Sequence, residues 1–160
     1  MKREIGFTII ELVVVIIVIG VLSVAILPNV NLLQGFNEAG YRDSIKSSLE
    51  YSRKSAVGQR RNVRVTLSNN ALTFMIDNDV PDGAAAGTYP RGLGLPASSS
   101  FCSSGVTNMV CAPNGVSLIG TNSIVFTPLG KLSGGAVASY VISGKTTFNV
   151  TVEGETGYVH

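Results

Sequence analysis

From Phe7 to Leu27 the chain runs for 21 residues with a single charge, Glu11. At ~1.5 Å of rise per residue such a helix is about 30 Å long, enough to cross the hydrocarbon core of a bilayer. The run therefore predicts a membrane-spanning helix over residues 7–27 and divides the chain into an anchor and a soluble part. The acid is the anomaly. A charged side chain inside a span costs on the order of 2.5–3.5 kcal/mol on insertion scales, which predicts a partner for it. No basic residue lies between Arg3 and Arg42, so the helix holds no cation of its own to serve. The partner is expected from another chain or from a new terminus. The leading residues MKREIG are few and basic and end in Gly6. A cut after Gly6 would free an amine on Phe7, four residues before Glu11, and in a staggered bundle of identical helices that amine could meet Glu11 of the next chain.

The string G-F-T-I-I-E-L followed by an apolar run resembles the class III signal of type IV pilins and type II secretion pseudopilins. The resemblance implies that a prepilin peptidase cuts between Gly6 and Phe7 and that Phe7 is then N-methylated. It implies that Glu11 draws the subunit into register in a growing filament, and that Pro28 kinks the helix. Two other readings of the same residues are an ordinary secretory signal cut near Ser23-Val24-Ala25 and a plain single-span anchor. The first has too long an apolar core and is spoiled by Glu11, and the second leaves both Glu11 and Gly6 unexplained.

Without the leader, Lys2 and Arg3 leave the 12 basic residues and Glu4 leaves the 10 acidic ones, giving 10 and 9 and a net charge of +1. A chain so nearly neutral has no general attraction for nucleic acid or membrane surfaces. Past Pro28, Leu33, Phe36, Tyr41, Ile45, Leu49 and Ala56 recur close to a helical period, and Glu38/Arg42 and Glu50/Lys54 stand as i,i+4 ion pairs. The helix is expected to continue as an amphipathic segment over 28–58 and to stop at Gly58 after a basic last turn. Residues 59–160 are expected to form a β-rich head. Val63, Val65 and Leu67 alternate with polar residues, Asn69-Asn70 offers a turn, and Leu72, Phe74 and Ile76 alternate again. Further strands are expected at Ser123 to Thr127, Ala136 to Ile142 and Thr146 to Val152, and residues 77–96 as a long irregular loop. The expected class is α+β: a lollipop in which a long helix, half in the membrane, packs on an antiparallel head.

Cys102 and Cys111, in a head held outside the cytoplasmic membrane, are expected to form a disulfide. No metal or cofactor is expected. Two cysteines and His160 do not make a zinc site, and Asp77 to Gly83 departs from a calcium loop because its third acid is one place late and no Glu follows at the right distance. No nucleophile elbow or phosphate loop marks an enzyme. Arg53, Lys54, Arg60, Arg61 and Arg64 fall within twelve residues. They are read as cations complementing a helix end, with a phosphate-binding stripe for DNA as the alternative.

The layout of S-R-K-S-A-V, V-R-V-T-L, I-V-F-T-P-L-G and a final E-T-G-Y-V-H resembles the H-type pseudopilins and FimT-like minor pilins, and within them the MshC-type minor pilin of the mannose-sensitive haemagglutinin (MSHA) pilus. This implies a minor subunit that primes or caps a filament, or alternatively a DNA-binding competence pilin or a type II secretion pseudopilin. It implies other pilins, the prepilin peptidase, an inner-membrane assembly platform and membrane lipid as partners. It also implies a bacterial inner-membrane protein with a periplasmic head. DNA-binding members carry Gly-Arg-x-Arg where this chain reads Gly157-Tyr158-Val159-His160, with both arginines absent.

Overall fold

The computed structural model describes residues 8–26, 32–77, 88–96, 101–103 and 105–160. The chain divides into two compact units, Met1–Gln34 and Gly35–His160. The first holds α1 (Ile9–Ile26), and α2 (Leu32–Gln59) begins within it. Pro28, the expected kink, lies outside the described residues.

In the second unit α2 is the organising element. Its buried positions Glu38, Tyr41, Ile45, Ser48, Leu49, Ser52, Ser55 and Ala56 follow the helical period and face the strands. Three serines on this face leave little bulk between helix and sheet, and the Ser52 hydroxyl is satisfied by the Ser48 carbonyl at 2.7 Å. Phe36, expected in the apolar stripe, is 74% exposed. At about 100° per residue it lies roughly 140° around the helix from Tyr41, so it could not share that face.

The strands form two antiparallel sheets that share one core with α2. In the five-stranded sheet β1 (Val63–Ser68) pairs with β2 (Ala71–Ile76) and with β6 (Ser123–Phe126), while β2 also pairs with β3 (Arg91–Gly92) and β4 (Met109–Cys111). The three-stranded sheet runs β5 (Ser117–Gly120), β7 (Ala138–Ser143), β8 (Thr147–Val152). The expected hairpin is present in register, with Val65 opposite Phe74. Its two-residue turn has φ of 48° at Asn69 and 58° at Asn70, the left-handed pair that a type I′ connection requires and that asparagine tolerates. The part of the expected long loop that is described includes β3, too short to carry an alternation signal.

Two polar side chains of α2 hold the two sheets. The Tyr41 hydroxyl donates to the Asn70 carbonyl at 2.9 Å, and the Asn70 side-chain oxygen accepts from the Leu118 amide at 3.1 Å, linking α2, the first hairpin and β5. Glu38, only 1% exposed, caps the β7–β8 turn. One carboxylate oxygen accepts from the Lys145 amide at 2.6 Å; the other accepts from the Thr146 amide at 2.9 Å and from the Thr146 hydroxyl. The expected Glu38–Arg42 pair does not form. Arg42 pairs with Asp43 at 2.7 Å and lies 4.9 Å from the Phe148 ring centroid. Gly144 owes its identity to this contact, since a Cβ there would run into the Glu38 carboxylate.

The helix does not end at Gly58. It continues to Gln59, and Arg60 takes the left-handed position with φ of 52°. The Arg60 amide donates to Val57 O at 3.3 Å and the Arg61 amide to Ala56 O at 3.1 Å, the paired bonds of a Schellman termination. The last turn of α2 contains no basic residue.

Two outcomes are expected. Replacing Arg60 by Gly removes a left-handed side-chain conflict at some cost in chain entropy, and should raise the stability of the Gly35–His160 unit by about 0.5–1 kcal/mol, read as a higher denaturant midpoint at unchanged slope. The Glu38 pKa is held below its ordinary value of 4.5, first by the Thr146 hydroxyl and then by the Lys145 and Thr146 amides, with burial opposing them. A depressed folded-state pKa gives stabilisation that is complete above the unfolded value and lost as pH falls through the folded one. Midpoints measured from pH 7 down to pH 2 should therefore fall below about pH 4.5. Glu38→Gln should start lower at neutral pH and show a shallower acid decline, and equal declines in both proteins would count against the latch.

Candidate assembly site and the basic corner

The acid that stands out in the sequence is partnered inside its own helix. Thr8 precedes α1 and Glu11 is three residues on. The Thr8 hydroxyl accepts from the Glu11 amide at 3.3 Å, while Glu11 Oε2 accepts from the Thr8 amide and from the Thr8 hydroxyl, each at 3.2 Å. This is a capping box, which meets helix-terminal donors that have no intrahelical partner and sets a carboxylate against the positive end of the helix dipole. The expectation that the partner must lie outside the helix considered only cations. The pattern Thr-x-x-Glu before an apolar run was the signal that could have found Thr8. Glu11 Oε1 makes no hydrogen bond with the described residues. Gly6 and Phe7 lie outside the described residues.

The large apolar side chains of α1 from Ile9 to Leu22 are all exposed, from 42% to 84%. Ser23 donates its hydroxyl to the Ile19 carbonyl at 2.7 Å, within the helix. The helix has 18 residues, about 27 Å, and among the described residues no helix is long and apolar enough to cross a membrane. Phe7 and Leu27, the ends of the expected 21-residue span, fall outside the described residues.

The five bases expected at the helix end do not form one stripe. Arg53 Nε donates to the Gly130 carbonyl at 3.3 Å, and Arg61 donates to the Asp77 carbonyl at 3.2 Å. The Arg64 guanidinium lies 4.3 Å from the Tyr89 ring centroid. Lys54 and Arg60 are exposed. Arg91, which the sequence reading did not group with these, reaches the same end of α2 by donating to Gln59 Oε1 at 3.3 Å.

The remaining candidate residues have structural positions. Asp77 is buried and accepts from the Asn62 side chain at 3.4 Å, and no cluster of metal-binding side chains occurs among the described residues. Asn78 to Gly83 lie outside them. Cys102 and Cys111 are joined by a disulfide with their Cα atoms 5.2 Å apart, which ties residues 102 and 103 to β4. A ring this small is worth roughly 2.5–3 kcal/mol on the chain-entropy model. The Gly157–His160 segment lies along β8: Val159 is buried and bridges Val152, and Thr151 and His160 exchange backbone bonds at 2.8 and 3.0 Å. Tyr158 and His160 project outward, stacked with centroids 5.7 Å apart, and His160 meets Glu153 at 3.0 Å.

Residues 1–27 match the prokaryotic N-terminal methylation motif. No curated protein sequence matches the chain significantly. Among solved structures it is similar to the type IV minor pilin FimU of Pseudomonas aeruginosa, at 13% identity and a TM-score of 0.53, over 79% of this chain and 89% of that one. It is also similar to the minor pseudopilin EpsH from the type 2 secretion system of Vibrio cholerae, at 15% identity and a TM-score of 0.51, over 74% and 90%. The chain carries an N-terminal methylation motif and has a pilin-type fold. The α+β class expected from the sequence is the pilin-type one, with helix α2 on antiparallel sheets in the Gly35–His160 unit.

The capping box in the methylation-motif segment can be tested directly. Thr8→Val removes the hydroxyl and should cost about 1 kcal/mol of helix-end stability, seen as roughly fivefold faster amide exchange at Ile10 to Leu12 in the detergent-solubilised full chain. Thr8→Ser should restore the slower exchange.

Proposed function

We propose that the chain is a minor pilin or pseudopilin, a structural subunit of a type IV pilus-like filament rather than an enzyme. The observation that carries this reading is the methylation motif at residues 1–27 in front of a pilin-type fold. In this reading a prepilin peptidase cuts between Gly6 and Phe7 and methylates the Phe7 amine. Residues 7–27 span the inner membrane, the apolar side chains of α1 facing lipid before assembly and neighbouring subunits after it. The head lies in the periplasm, and the inner-membrane platform extracts the subunit into the filament, where it primes or caps.

Glu11 has a defined part in this scheme. Thr8 holds Oε2 at the helix start, which leaves Oε1 to accept from the Phe7 amine of an adjacent subunit. The two interactions can coexist, and each lowers the cost of a carboxylate in an apolar bundle. The DNA-binding alternative gains no support from the basic corner, because Arg53, Arg61 and Arg64 are engaged within the head.

Mass spectrometry of the membrane-extracted protein should find N-methyl-Phe7 as the terminus. A terminus near Ile26 would instead identify an ordinary signal peptide. Glu11→Leu should leave cleavage and insertion intact and reduce crosslinking to the other pilins. Undiminished association would remove Glu11 from the assembly step.

A further inference from the structure

A cleft of about 510 Å³ opens between the β1–β2 turn, the disulfide and the turn that leads into β5. None of the described residues that line it carries a charge. The amides of Asn69 and Asn114 stand exposed at its rim and make no hydrogen bond with the described residues. Ser68 and Thr73 also line the cleft, and Phe101, 52% exposed, contributes an aromatic ring.

The frame around these groups is tied together by side-chain bonds. Asn69 sits in the type I′ turn, whose other central residue, Asn70, is fixed by Tyr41 through its carbonyl and by Leu118 through its side chain. The far wall is held by the Cys102–Cys111 bond. Polar groups displayed on a fixed frame lose little freedom when a ligand arrives, which is the condition for useful affinity in a shallow site.

We propose that this cleft binds a neutral oligosaccharide. A charged ligand would find no counter-charge in it, and a wholly apolar one would strip water from two amides without replacing the hydrogen bonds. A sugar ring matches both halves of the lining. Its hydroxyls donate and accept, as a side-chain amide does, and its C–H face can rest on the Phe101 ring. A peptide fits less well, because strand addition needs an open sheet edge and polyproline docking needs a groove lined by several aromatic residues. Phe101 is the one aromatic residue among the described residues of this lining.

The test is saturation-transfer NMR on the full chain in an amine-oxide detergent, whose headgroup is not itself a sugar. Maltotriose, cellotriose, mannotriose and lactose serve as probes and a blocked alanine tripeptide as the control. Transfer to the ring protons of at least one oligosaccharide is expected, and not to the peptide. The Asn69→Gly/Asn114→Ala double variant, in which glycine keeps the left-handed turn, should weaken it by about tenfold or more, with the melting temperature showing that the head remains folded. Asn114→Ala alone, at an exposed turn position, should weaken it in the same direction. Absence of transfer from every sugar, equal transfer in wild type and both variants, or transfer to the peptide alone would overturn the proposal.

Discussion

One buried carboxylate sets the geometry of the head. Glu38 extends from the second turn of α2 and ends among three donors of the β7–β8 turn, so the position of the three-stranded sheet along α2 is fixed by hydrogen bonds and not by apolar contact alone. Apolar packing tolerates small slides because it is non-directional. Three convergent donors on one carboxylate do not. Tyr41, three residues further along the same helix face, performs the corresponding task for the other sheet by reaching the Asn70 carbonyl. The core of Ile45, Leu49, Phe74, Phe126 and Tyr140 then fills a space whose walls are already in register.

The sequence carried some of this plainly and some not at all. Alternation in β1 and β2 and the Asn69-Asn70 pair specify a hairpin by local chemistry alone, and the structure has it. The strands β3 and β4 have two and three residues, too few for a period to emerge, and they exist because β2 offers them a ladder. Glu38 was misread for a related reason. Local rules pair it with Arg42 one turn away, but its partners lie 107 and 108 residues on, and only the folded chain brings them together. Gly58 was likewise the residue that favours a helix stop, while the stop itself came two residues later at Arg60.

The candidate assembly site shows the opposite balance. Its chemistry is local, so most of it was legible: an acid in an apolar run demands compensation, and the neighbouring residues can be searched by eye. What was missed, the Thr8 hydroxyl, is neutral, and a search conducted in terms of charge passes over it. The basic corner failed in the reverse sense. Five cations close in sequence suggest a shared surface, but the strand alternation and the end of α2 send Arg53, Arg61 and Arg64 to three different partners.

In the proposed filament role the margins of the two sheets have a further meaning. Beside β6 the backbone is taken up by Lys131 and Ser133, beside β8 by Tyr158 and His160, and the Leu118 amide of β5 is closed by Asn70. Among the described residues the remaining margin of the five-stranded sheet is made of β3 and β4, each too short to template another strand. Exposed strand edges invite pairing between chains, and such pairings are slow to undo. A head whose described margins are short or taken up offers its neighbours little backbone ladder to share, so crowding many copies together leaves each one able to part from the next as an intact fold.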